Sequence, residues 1–158
     1  MPLKFMTILP FRRLSEGEES KKLGKLGKIN KKLIGNPKKE KKIIKTARKE
    51  FKEINIDTEK FLREFRDLRD IEKIKKLVKR YLEKIKRYIK SLRDLYGANL
   101  NRVYPEIIQL EKHIKRLYKI LEEIKKKGLS INLEKEYHII LNEIRKLWEM
   151  HKHKISKT

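Results

Sequence analysis

The chain has no cysteine, which excludes disulfide cross-links and thiolate metal sites. Only four histidines occur among 158 residues, so a zinc site would need several acidic ligands. No metal site and no cofactor are expected. Long hydrophobic runs are also missing, and no apolar stretch approaches the roughly 20 residues that a membrane-spanning helix requires. The apolar opening, residues 1–11, is short and interrupted by Pro2 and Pro10, and Arg12 and Arg13 follow it. A secretory signal carries its positive charge ahead of the apolar part, so a cytoplasmic protein with no integral membrane segment is expected. Glutamine occurs once, at Gln109, and alanine twice, at Ala47 and Ala98, against abundant lysine and isoleucine. That profile fits a hyperthermophile, and an AT-rich genome produces a similar bias.

Acidic residues are scarce relative to basic ones: 22 Asp and Glu face 45 Lys and Arg, a net charge of +23. The imbalance is concentrated. Residues 21–49 hold 13 Lys or Arg and one acid, Glu40. So much like charge repels itself in water and implies a polyanionic partner.

Residues 1–11 form a weakly alternating apolar segment, readable as a mobile terminus or as a segment that docks on a neighbour. Residues 15–20 read as a polar hinge. Leu23, Leu26, Ile29 and Leu33 recur at helical spacing beneath a lysine-covered back, but Gly24 and Gly27 each cost about 1 kcal/mol in a helix interior. Residues 1–36 are therefore expected to be a basic, largely flexible arm that becomes helical on contact, and residues 37–158 a helical bundle.

Gly35, Asn36 and Pro37 stop one helix and start another over about 37–54, with Pro37 at its first position and Ile43, Ile44, Ala47, Phe51 and Ile54 facing inward. Asp57, Thr58 and Glu59 read as a fresh helix start, and the pattern then runs to Gly97. Within it a heptad seam passes through Ile71, Ile74, Val78, Tyr81, Ile85, Tyr88, Leu92 and Leu95. The seam slips by one position near residues 67–70, predicting a kink, an overwound turn or a change of packing partner. Asn99 or Asn101 is expected to cap the next helix, with Pro105 in its first turn. Its seam is Leu100, Val103, Ile107, Leu110, Ile114, Leu117, Leu121 and Ile124, ending at Gly128. Asn132 opens the last helix, whose seam of Leu133, Tyr137, Ile140, Ile144 and Leu147 ends in His151, flanked by Leu141 and Trp148. These seams and short loops predict an all-α protein, an antiparallel three- to four-helix bundle with long heptad-patterned helices.

Two basic surfaces are the candidate site. The first comprises Lys21, Lys22, Lys25, Lys28, Lys31, Lys32, Lys38, Lys39, Lys41, Lys42, Lys45 and Arg48. The second is an outward stripe on the helix after Ile71, with Lys73, Lys76, Arg80 and Arg87 foremost and Lys79, Lys86, Lys90 and Arg93 among them. Such a stripe spans roughly 30–35 Å at 1.5 Å per residue, about one turn of duplex DNA, and contacts phosphates without reading bases. Its bland alternative is a solvated face tempered by the i,i+4 pairs Glu72–Lys76 and Glu83–Arg87. Aromatic residues suited to stacking on single-stranded bases are missing nearby, which favours duplex DNA or structured RNA. The basic amphipathic stretch also matches an anionic membrane surface, although its apolar stripe is narrow, lacks Trp and Phe and holds two glycines.

No catalytic set stands out. Carboxylates lie beside Lys or Arg on charged faces, and no phosphate-cradling glycine loop is present. His151 and His153, two apart on a helix, point in opposite directions, and His151 is expected where the seam reaches solvent; His113 and His138 are isolated. The segment from Arg145 through Lys146 to His151 resembles the Arg-(four to six residues)-His signature of HEPN ribonucleases, which are small helical bundles. That resemblance covers seven residues and implies Arg145 and His151 as a pair in a dimer cleft cleaving RNA without metal. The family usually has a small or amide-type residue where Lys146 stands.

The expected function is non-enzymatic binding of DNA or structured RNA, as a chromatin, ribonucleoprotein or nucleocapsid component. The alternative is a protein–protein scaffold or assembly subunit. Ile108, Ile120, Tyr104 and Tyr118, outside the seams, suggest either a self-association surface for a homo-oligomer or flanking core.

Overall fold

The computed structural model describes residues 37–157, and the expectations for residues 1–36 lie outside them. Four long helices form the bundle: α1 (Pro37–Glu64), α2 (Ile71–Tyr96), α4 (Pro105–Lys127) and α5 (Ile131–Lys157), with a single-turn α3 (Leu100–Val103) between α2 and α4. Each long helix packs on its chain neighbour, and α5 returns to close the ring against α1. Cross-helix pairs run in opposite directions along each interface, as in Glu50 with Ser91 and Thr58 with Tyr81, or Asn55 with Trp148 and Phe65 with Tyr137. The bundle is therefore antiparallel and all-α, and the 37–54 region is a full fourth member.

The heptad seams are the core. Ile74, Val78, Tyr81, Ile85, Tyr88, Leu92 and Leu95 of α2 are buried against Ile107, Leu110, Ile114, Leu117, Leu121 and Ile124 of α4 and their counterparts on α1 and α5. Full burial of one such side chain stabilises by about 1.5–3 kcal/mol, far more than helix propensity contributes per residue. Of the residues outside the seams, Tyr104 and Ile120 are buried and Ile108 and Tyr118 pack against the core. They are flanking core.

The helix start expected at Asp57 is not there, because α1 runs unbroken through it. The polar residues around that expected start have partners on other helices. Asn55 Oδ1 accepts from the Trp148 indole at 2.9 Å, and the Asp57 carboxylate accepts from Lys84 Nζ at 2.5 Å. The Thr58 hydroxyl donates back to the Ile54 carbonyl at 2.7 Å and so receives its bond from the Tyr81 hydroxyl. Capping side chains that reach across a helix interface no longer compete with the helix they sit in.

The break comes at the phase slip. After Phe65, whose amide still bonds to the Phe61 carbonyl, the chain turns through residues 66–70. Asp67 Oδ1 accepts from the Arg69 amide, and Asp70 caps α2 by accepting from the Lys73 amide at 3.1 Å, an interaction of about 1 kcal/mol. Tyr137 on α5 donates its hydroxyl to the freed Phe65 carbonyl at 2.8 Å.

The later boundaries also differ in detail. Neither Asn99 nor Asn101 starts the long helix; a short turn and α3 intervene, and Pro105 takes the first position of α4 after Tyr104. Ser130, not Asn132, caps α5, its hydroxyl accepting from the Leu133 amide at 3.1 Å. Gly128 ends α4 at φ +85° with its amide on the Ile124 carbonyl, a backbone state that favours glycine.

Candidate nucleic-acid interface

On α1 the inward stripe of Ile44, Ala47, Phe51 and Ile54 leaves Lys38, Lys39, Lys41, Lys42 and Lys45 on the exposed side, with Arg48 half-buried at its edge. Lys21, Lys22, Lys25, Lys28, Lys31 and Lys32 lie outside the described residues. On α2 the buried seam leaves Lys73, Lys76, Lys79, Arg80, Lys86, Arg87, Lys90 and Arg93 exposed. The structure thus places both described parts of the basic set on adjacent helices of one bundle.

Neither expected i,i+4 pair forms. Glu72 reaches across to Lys125 of α4, whose ammonium holds the carboxyl below its ordinary range, and Arg87 Nε donates to the Glu83 backbone carbonyl at 3.5 Å. Among the described residues, Lys38, Lys41, Lys42, Lys45, Lys73, Lys76 and Arg80 have no carboxylate within ion-pair distance. The intramolecular ion pairs that do form involve other cations, including Lys84, Lys125, Arg116 and Lys154. Uncompensated ammonium groups in water attract phosphate at long range and release its counterions on contact.

Two hollows flank this surface. One, of about 350 Å³ between α1 and α2, is lined by Thr46, Lys49, Glu50, Glu53, Lys84 and Arg87. Both signs of charge meet there, and partial burial pushes the Glu50 carboxyl up despite its bond from Ser91. The other, of about 260 Å³ between α1 and α5, is lined by Leu62, Arg66, His138, Leu141, Asn142 and Arg145. None of its lining residues among those described is acidic.

Sequence reasoning missed the third feature, a polar cluster buried in the bundle and edged by the half-exposed Lys154. His151 is fully buried rather than at a solvent-facing seam end, and Glu106 is 2% exposed, contrary to carboxylates confined to charged faces. Glu40 is buried as well. The Glu106 carboxylate can only accept, so His151 carries its proton on Nδ1 and donates it to Oε2 at 2.6 Å. The other ring nitrogen, Nε2, then accepts from the Tyr88 hydroxyl at 2.7 Å. Lys154 Nζ donates to Glu106 Oε1 at 2.6 Å. Phe51, Tyr88, Tyr104 and Trp148 surround the imidazole, with ring centroids 5.0–5.9 Å away. Burial holds His151 below its ordinary pKa, outweighing the carboxylate that favours its charged form. Glu106 is held below its ordinary value because bonds from His151 and Lys154 together overcome its own burial. The result is one buried carboxylate balanced by one ammonium and a neutral imidazole.

This array has the residue types of a proton relay, but Tyr88, Glu106 and His151 are covered by the core and Lys154 alone of the four is partly exposed. Arg145, by contrast, is exposed on the α1–α5 hollow, so the two residues of the HEPN-like signature do not share a cleft within one chain. Among the described residues no group of three or more acidic or histidine side chains is placed to hold a metal ion, and no helix is long and apolar enough to cross a membrane. Comparison with protein-family models, curated proteins and solved structures finds no match to this chain.

Proposed function

We propose that this protein binds DNA or structured RNA through the phosphate backbone, without catalysing a reaction. The observation that carries the reading is two groups of exposed cations, Lys38, Lys41, Lys42 and Lys45 at the start of α1 and Lys73, Lys76 and Arg80 at the start of α2, which lie toward opposite ends of this antiparallel pair, none with a carboxylate partner among the described residues. The lysine-dense segment at 21–32 precedes α1 directly in the chain and extends the same charge. Binding proceeds by counterion release, while the packed bundle fixes the orientation of the α1 and α2 cations. Chromatin, ribonucleoprotein and nucleocapsid assemblies are the settings for such a protein, and a cytoplasmic location is compatible with each in a cell without a nucleus.

The test is a fluorescence-anisotropy titration of a duplex DNA and a hairpin RNA across salt. If about six to ten phosphates are neutralised, affinity falls by roughly 10³–10⁵ between 50 and 200 mM salt. A flat response, or no complex at 50 mM, overturns the proposal. The scaffold alternative instead predicts no nucleic-acid complex and recovery of a protein partner with an acidic surface.

A further inference from the structure

We infer that the hollow between α1 and α5 is a discrete phosphate-binding site, distinct from the diffuse lysine surface; as the seat of one phosphate of the bound polymer, it rests on the function proposed above. Three observations carry it.

The first is donor chemistry. Arg66 and Arg145 bring two guanidinium groups to one concavity, joined by the His138 ring and the Asn142 amide. Among the described residues, no carboxylate lines it and neither arginine has an ion-pair partner. Guanidinium forks present paired N–H groups that match phosphate oxygens two at a time, and ammonium groups do not. The opposite hollow, between α1 and α2, contains Glu50 and Glu53 and lacks this selectivity for anions.

The second is the floor. Leu62 and Leu141 line the same hollow and both pack on the core, Leu141 buried and Leu62 partly so. Apolar walls lower the local dielectric and strengthen each N–H to phosphate contact relative to open surface.

The third is rigidity. Residues 138, 141, 142 and 145 fall on one face of α5 at helical spacing, while Arg66 is in the turn after α1, a position that would ordinarily be mobile. Here that turn is tied down. The residue before Arg66 and the residue before His138 are bonded to each other, Tyr137 Oη donating to the Phe65 carbonyl at 2.8 Å. One buried hydrogen bond therefore holds the two sides of the hollow in register, which reduces the ordering that binding must otherwise supply.

The full-length protein, labelled with ¹⁵N, is titrated with inorganic phosphate at constant ionic strength, following the Arg Nε–H and Asn side-chain amide signals. Saturable shifts confined to Arg66, Arg145 and Asn142, absent with acetate, are expected. Shifts spread evenly over Arg80, Arg93 and the other arginines, or equal shifts with acetate, overturn the site. A second arm compares duplex binding by the wild type and by R66Q/R145Q, whose exposed positions leave the helical signal and melting temperature unchanged. The variant should lose saturable phosphate binding, bind duplex about tenfold more weakly and show a salt slope smaller by about one. Unchanged duplex affinity and slope in the variant overturn the hollow as a seat for polymer phosphate while leaving the proposed function intact. Absence of duplex binding by the wild type overturns that function, and with it the polymer-phosphate role, even where inorganic phosphate still saturates Arg66 and Arg145.

Discussion

Nδ1 of His151, near the end of the last helix, lies 2.6 Å from Oε2 of Glu106 in the first turn of α4, and both side chains are excluded from solvent. The pair joins the two ends of the α4–α5 hairpin. Lys154 completes the charge balance, and Tyr88 ties the same imidazole to α2.

Replacing His151 with alanine leaves Glu106 short of one donor, removes the bond between the Tyr88 hydroxyl and Nε2 and opens a cavity within the aromatic cage. Loss of about 3 kcal/mol is expected, measured by urea unfolding. Affinity for nucleic acid at a temperature where the variant is folded should not change. A variant as stable as the wild type would refute the structural role.

Stability should depend on pH in a definite direction. His151 has a folded-state pKa below the unfolded value of about 6.5, so at pH below that value the unfolded chain binds the extra proton more readily. The contribution is complete above pH about 6.5 and declines as pH falls, by at most about 1.4 kcal/mol per pH unit. Glu106, held below its ordinary value of 4.5, adds a second decline as pH falls further, through its own folded-state pKa. Unfolding free energies at pH 7.5, 6.5 and 5.5 should show the first decline in the wild type, and His151→Leu should abolish it. An identical pH profile in that variant would remove His151 as its source.

Tyr137→Phe deletes only the hydroxyl that serves the Phe65 carbonyl. A loss of about 1–2 kcal/mol is expected, with faster amide exchange at residues 66–70 than elsewhere. Uniform exchange across the bundle would show that the bond does not restrain the turn.

Gly128→Ala meets no atom within 4 Å, so the cost is conformational alone. At φ +85° and ψ 165° an alanine should destabilise by about 1–3 kcal/mol; a neutral result by thermal unfolding would mean that the turn relaxes to another backbone state.

Changing Lys38, Lys41, Lys42 and Lys45 together to glutamine removes exposed charge without touching the core. The slope of log affinity against log salt should fall by about 0.9 for each phosphate that is no longer neutralised, with an unchanged melting temperature. An unaltered slope would move the interface away from α1.

The sequence alone determined the helical class, the seams and the exposed basic faces. Burial follows period, and a heptad of Ile, Leu and Tyr has only one side to present to a neighbour. The slip near residues 67–70 marked a disturbance at the right place, but a pattern read as running from Asp57 to Gly97 did not show that the helix from Pro37 ends there and a new one begins. What it did not determine was every boundary or polar contact that depends on a partner distant in the chain. Asp57 and Thr58 look like a helix start locally and become cross-helix ligands only when Lys84 and Tyr81 arrive. His151 continues a seam and Glu106 flanks one, and nothing in their spacing links residues so far apart. Their pairing arises because the antiparallel arrangement brings the start of α4 to the end of α5, and a carboxylate buried there remains stable only when donors from another helix meet it.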